Sequence, residues 1–159
     1  MYVKETILLI SAAVACFVAI LFIPRKRAAE ASVIFLVAQF FTWIFGLVVV
    51  EFGWLEYPVR ELAQANATSF LFEFLLLPVL IIYFILYYPT GKRLIIRLLY
   101  YAGIISAFTL LEVIVEKCSR IILCHTWKWQ YTWITMAALY YMVMVIYKWF
   151  FGIKKIFKL

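Results

Sequence analysis

The sequence predicts an all-α integral membrane bundle of five transmembrane helices, with the amino terminus outside and the carboxyl terminus in the cytoplasm. Three observations carry that expectation. Of 159 residues, 69% are hydrophobic and only 14% are charged. A soluble domain is nearer half apolar and a quarter charged. The apolar residues gather in five runs close to the ~20 residues that span a hydrocarbon core. Basic clusters fall mostly on one side of the alternating runs, which sets the orientation.

The first run is 6–23. It ends at Pro24 and meets Arg25, Lys26 and Arg27. A cleaved signal peptide carries its positive charge before the apolar core. Here the charge follows it, so the run reads as a retained helix. The second run, 31–52, leads into a turn-like stretch with Gly53, Trp54 and Pro58. The third, 68–88, stops at Pro89, Thr90 and Gly91. The fourth, 94–115, ends at Glu116 and Lys117. The fifth, 131–151, ends at Gly152 and a basic tail with Lys154, Lys155 and Lys158. In lipid these runs must be helices, because an open strand leaves backbone groups unpaired. They use the whole chain as a single transmembrane domain.

Ten of the fifteen basic residues then share a side: Arg25, Lys26, Arg27, Lys92, Arg93, Arg97, Lys148, Lys154, Lys155 and Lys158. The positive-inside rule makes that side cytoplasmic. Lys4, Arg60, Lys117, Arg120 and Lys128 lie on the other. All eight acids are glutamates, and only Glu30 falls on the basic side. Anionic headgroups explain the basic balance without nucleic acid. The expected location is the cytoplasmic membrane. The expected partners are the lipid bilayer and, through packing seams, another membrane protein or a second copy.

Aromatic residues mark the interfaces. Trp54, Trp127, Trp129 and Trp133 read as anchors at headgroup level on the outer side. Small residues suggest seams where helices approach closely: Ser11, Ala15 and Ala19 in the first run; Gln39, Thr42, Gly46 and Gly53 along the second; Ala102, Ser106 and Thr109 in the fourth. The segment 57–63 has the pattern of a short helix, with Pro58 in its first turn. Pro78 in the third run removes the backbone bond to the Phe74 carbonyl and predicts a kink.

Chemistry gathers in the outer glutamates. Glu73 lies inside the third run. Glu112 and Glu116 share a helical face that Thr109 continues inward, and Glu51 closes the second run. A carboxyl within a span is costly and faces a bundle interior or water. The expectation is a polar pocket of Glu51, Arg60, Glu61, Glu73, Thr109, Glu112, Glu116 and Lys117. In it Glu73, Glu112 and Glu116 face one another, with Arg60 or Lys117 close by. Such a cluster suits structural ion pairing, a bound cation or a shared proton.

The pattern of Glu56, Tyr57, Pro58 and Glu61, then Thr68, Ser69 and Glu73, then Glu112 and Glu116, and finally His125, Trp127, Trp129 and Trp133 resembles an uncharacterised family. Its members are small multi-span membrane proteins of Gram-positive, spore-forming bacteria. The resemblance covers nearly the whole chain and implies a cytoplasmic-membrane location. It brings no activity, substrate or catalytic residue. Cys118 and Cys124 are not part of that pattern.

Metal and enzyme signatures are thin. Cys118, Cys124 and His125 are the metal candidates, short of a full zinc set, and the two cysteines also admit a disulfide. Cys16, in mid-run, reads as a small apolar filler. The single histidine cannot supply two axial haem ligands. There is no Asp, no HExxH and no phosphate loop. No cofactor is implied. The chain therefore reads as a non-enzymatic partner-binding, assembly or sensory component. The alternative is a small cation- or proton-coupled transporter using the outer glutamates.

Overall fold

Long apolar runs make helices here, and Gly53 and Gly152, both at positive φ, follow the ends of two of them. In the computed structural model, which describes residues 3–61, 64 and 67–153, the order is α1 (Val3–Leu21), α2 (Ala28–Glu51), β1 (Leu55–Glu56), a π-helical stretch (Leu71–Leu76) continuing into α3 (Leu77–Leu86), α4 (Leu94–Cys118), β2 (Leu123–Cys124) and α5 (Trp129–Phe150). The basic tail residues Lys154, Lys155 and Lys158 lie outside the described residues, as do Leu62 and Ala63. Gly53, at φ 66°, closes α2. The Trp54 N–H reaches the Val49 carbonyl and the Gly53 N–H the Val50 carbonyl, at 3.2 and 2.9 Å. This is the left-handed helix stop that glycine permits.

Four helices are long and apolar enough to cross a membrane: 3–21, 25–51, 94–118 and 129–150. The fifth apolar helix, Leu71–Leu86, is shorter. Much of the apolar surface faces outward. Leu21 is 83% exposed, Leu99 65% and Phe17 63%. Contiguous apolar surface on this scale is foreign to a soluble monomer.

Two ends can be told apart by their contacts. At one end a two-residue antiparallel ladder joins Leu55–Glu56 to Leu123–Cys124. The Trp54 carbonyl accepts from the His125 and Trp127 N–H groups, and Glu56 meets His125 at 3.2 Å. Lys4 Nζ donates to the Cys118 carbonyl at 2.9 Å, joining the start of α1 to the end of α4. At the other end Arg27 donates to the Leu86 carbonyl at 2.6 Å. The Tyr147 hydroxyl donates to Glu30 at 2.6 Å.

Two expectations are corrected. The described part of segment 57–63 forms no helix. Arg60 donates to the Tyr57 carbonyl at 2.7 Å, closing a turn, while the Tyr57 side chain turns into the bundle. The seam on α1 is displaced as well. Leu9 and Cys16 are buried, whereas Ser11 and Ala15 are exposed. Ser11 donates to the Leu8 carbonyl of its own helix at 2.8 Å, so it requires no neighbour. On α2 the buried stripe is Ala31, Ile34, Ala38, Thr42 and Gly46, which includes two of the small residues read from the sequence.

Candidate functional site

The site is built around residue 73. Ser69 caps the helix that carries it, accepting from the Phe72 N–H at 3.4 Å. Capping of this kind follows from the serine oxygen one turn before the helix proper. Residues Leu71–Leu76 adopt the wider π register, and the Leu77 N–H bonds to the Phe72 carbonyl. That register has a consequence set by Pro78. In a π turn the Glu73 carbonyl would accept from residue 78, which has no N–H. The orphaned carbonyl instead accepts from the Thr42 hydroxyl of α2. The sequence predicts a break at the Phe74 carbonyl; the π register moves the missing bond one residue back, to Glu73.

One turn further along α2, Gly46 makes room for the Glu73 side chain. A Cβ added at Gly46 would lie 2.7 Å from Glu73 Cδ and 2.8 Å from Oε1. Thr42 and Gly46 thus receive the backbone and the carboxyl of one residue. Glu73 is 7% exposed, and its Oε1 accepts from the Tyr57 hydroxyl at 3.1 Å. Burial and the nearby Glu73 and Glu112 carboxyls push the Tyr57 hydroxyl pKa well above the usual tyrosine value.

Glu112 enters from α4. Its Oε1 accepts from the Thr132 hydroxyl at 2.8 Å, and Thr132 accepts from the Trp127 indole N–H at 2.8 Å. This relay links the loop, α5 and α4. Glu73 and Glu112 line one cavity of about 160 Å³, between α2, the π stretch, α4 and α5. Leu55, Tyr57, Ile122 and Trp127 line one end of it, so the two-strand clasp is its roof. Phe45 and Leu111 line it and are also exposed, which opens it sideways between α2 and α4. None of its lining residues is a lysine or arginine.

The remaining sequence candidates lie elsewhere. Thr109 is buried and spends its hydroxyl on the Ile105 carbonyl of its own helix at 2.9 Å. Glu116 does not line the cavity; it neighbours Glu112 and engages the Cys124 thiol. Burial and the Glu116 carboxylate push that thiol's pKa up to about 12. Glu51 and Lys117 are exposed, and Arg60 is half-buried on its own turn. None of the three lines the cavity. Glu61 accepts from Ser69 Oγ at 3.3 Å and the Leu71 N–H at 3.4 Å, so it serves the helix start.

Trp127, read from the sequence as an interface anchor, is half-buried in the cavity wall and stacks on Trp54, ring centroids 5.8 Å apart. Trp129 is exposed, and Trp133 donates to Ser106 at 3.1 Å, tying α5 to α4. Cys16, Cys118 and Cys124 are free thiols. Among the described residues no three His, Cys, Asp or Glu side chains gather as a metal would require, and this covers Cys118, Cys124 and His125. Sequence reading missed Tyr57 and Thr132 as partners of the carboxyls and Thr42 as the partner of the Glu73 backbone carbonyl. Thr42 and Gly46, four apart on one helical face, were the available signal.

Compared with known proteins, the chain matches no family model, no curated protein and no solved structure.

Proposed function

We propose that the chain is a five-span protein of the cytoplasmic membrane, amino terminus outside, that works as a non-enzymatic binding component. It would belong with the small multi-span proteins its glutamate and tryptophan pattern resembles. The exposed apolar helix faces and the sorting of basic residues support the placement. The binding reading rests on one observation. Two carboxyl groups from different helices line one cavity whose walls are otherwise largely apolar and carry no lysine or arginine. Each carboxyl accepts from one hydroxyl, but neither meets a cation in the cavity wall, and a charged carboxyl in such surroundings is costly without one. The ligand that fits is small and amphiphilic: a cationic, hydrogen-bond-donating head toward Glu73 and Glu112, and an apolar body against Phe45, Phe108 and Leu111. The sideways opening suits entry from the bilayer.

A transport path has less support. Beneath the cavity, Ile81, Phe84, Tyr140 and Val143 are each at most 1% exposed. Phe84 meets Tyr140 edge-on at 4.9 Å. A dry aromatic plug suits a closed-ended pocket better than a relay.

Thermal unfolding in detergent with n-alkylammonium ions, butyl to octyl, tests the reading. A saturable rise in Tm is expected, growing with chain length by up to ~0.8 kcal/mol of binding per buried methylene. Glu112→Gln should fold and lose the response. No response in the parent protein, or an equal one in the variant, would refute it. Proton or sodium flux through proteoliposomes, abolished by the same substitution, would establish the transporter instead.

A further inference from the structure

A second cavity, of about 180 Å³, lies at the basic end between the start of α4 and the end of α5. Tyr88, Leu94, Arg97, Tyr101 and Lys148 are among its lining residues. Two cations share it. Lys148 Nζ stands 5.4 Å from the Tyr88 ring centroid, and Arg97 Cζ stands 5.6 Å from the same ring. Lys148 is only 4% exposed. Among the described residues its ammonium has no carboxylate and no hydrogen-bond acceptor. The tyrosine ring offers a quadrupole but no formal negative charge.

The nearest candidate counter-charge is already engaged. Glu30 is the one glutamate at this end, and its Oε2 accepts from Arg27 Nη2 at 2.8 Å, Arg27 Nε at 3.2 Å and the Tyr147 hydroxyl at 2.6 Å. Among the described residues no acidic side chain lines the second cavity. The buried Lys148 ammonium is poorly hydrated and has a second cation beside it. An anion against Lys148 offsets both penalties. α4 also begins there without a side-chain cap. Its leading N–H groups carry the positive end of the helix dipole, and Leu94, its first residue, lines the cavity.

We propose that this cavity binds a phosphate-bearing anion, with Lys148 and Arg97 as its cationic contacts and the start of α4 beside it. The chemistry is that of a phosphate monoester or diester. An anionic phospholipid headgroup and free phosphate both carry it. The proposal is independent of the outer cavity and of any ligand there.

The test titrates the purified full chain, in a non-ionic detergent, with phosphatidylglycerol, phosphatidylcholine and inorganic phosphate in turn, reading Tm. Phosphatidylglycerol should raise Tm saturably and phosphatidylcholine should not. If inorganic phosphate matches the effect, the free anion is the source; if it does nothing, the lipid headgroup is. Lys148→Met should weaken binding by about tenfold, the loss of one charge-assisted contact. Lys148→Arg should restore it, and Lys26→Met, at an exposed position that does not line this cavity, should leave it unchanged. Native mass spectrometry of the parent protein should retain one phosphatidylglycerol per chain, a readout that requires no variant. Equal responses to the two lipids with none to phosphate would overturn the proposal. Unchanged binding in Lys148→Met, or equal losses in Lys148→Met and Lys26→Met, would do the same.

Discussion

At Gly46 a missing side chain decides where a carboxyl can sit. Gly46→Ala puts a methyl group 2.7 Å from Glu73 Cδ, so the carboxyl must leave its place beside Tyr57. Overpacking of this kind costs roughly 1–3 kcal/mol. Gly103 supplies the control. It lies in α4 with nothing within 4 Å of an added Cβ, and alanine there should be neutral or stabilising by up to ~1 kcal/mol. Chemical denaturation of both variants checks the contrast; equal effects would contradict it. Tyr57 gives a pH signature. Its pKa is raised by burial first and then by Glu73 and Glu112, so the folded state favours the neutral hydroxyl. That contribution is whole below the unfolded tyrosine pKa of about 10 and fades as pH rises above it. Tyr57→Phe should lose ~0.5–1.5 kcal/mol near neutrality with the hydrogen bond to Glu73. Its Tm should then fall less steeply than the parent's between about pH 9 and 11. Parallel Tm curves would count against this account. Of these residues the sequence offered Gly46 as a seam and Glu73 as an intramembrane acid. It could not offer their meeting, because that depends on the register of two helices.

At the scale of the element, the π stretch and Thr42 are one device. Pro78 takes away a donor, the wider register shifts the loss onto the Glu73 carbonyl, and the Thr42 hydroxyl supplies it. Thr42→Val should therefore cost ~1–3 kcal/mol, the penalty for a buried acceptor left bare. Pro78→Ala returns an N–H to the helix and removes the reason for the threonine. The double variant should be more stable than the sum of the singles by ~0.5–3 kcal/mol, the range for residues in one network. Additive losses in a denaturation cycle would refute the coupling. Pro78 was legible in the sequence as a break in the ladder. Its outcome was not, since a kink and a π turn both answer a missing donor and a hydroxyl on another helix chose between them. The two-strand clasp was equally hidden. Leu55–Glu56 and Leu123–Cys124 are too short to show alternation, and their pairing follows from where α2 ends and α4 stops. Trp127 looked like an anchor because tryptophan beside lysine at a run's edge suits the headgroup zone; Thr132 and Glu112 draw its N–H inward.

Across the whole molecule, apolar runs and charge clusters carried most of the architecture. The expected runs 6–23, 31–52, 94–115 and 131–151 overlap α1, α2, α4 and α5, while 68–88 holds the shorter helix Leu71–Leu86. Those sixteen residues rise ~24 Å at 1.5 Å each, short of the ~30 Å hydrocarbon core. The cavity sits under the two-strand clasp, and the packed aromatic core closes it on the other side. The central proposal is a pocket reached from the clasp end, which we propose faces outside, or sideways from the bilayer, and sealed toward the cytoplasm. Its most direct test places a single cysteine at Thr135, an exposed residue lining the cavity, in a chain whose three native cysteines are replaced by alanine or serine. Membrane vesicles of both orientations are then treated with a water-soluble maleimide. The account predicts labelling from the extracytoplasmic face alone, slowed by octylammonium; labelling from the cytoplasmic face, or from neither, would contradict it.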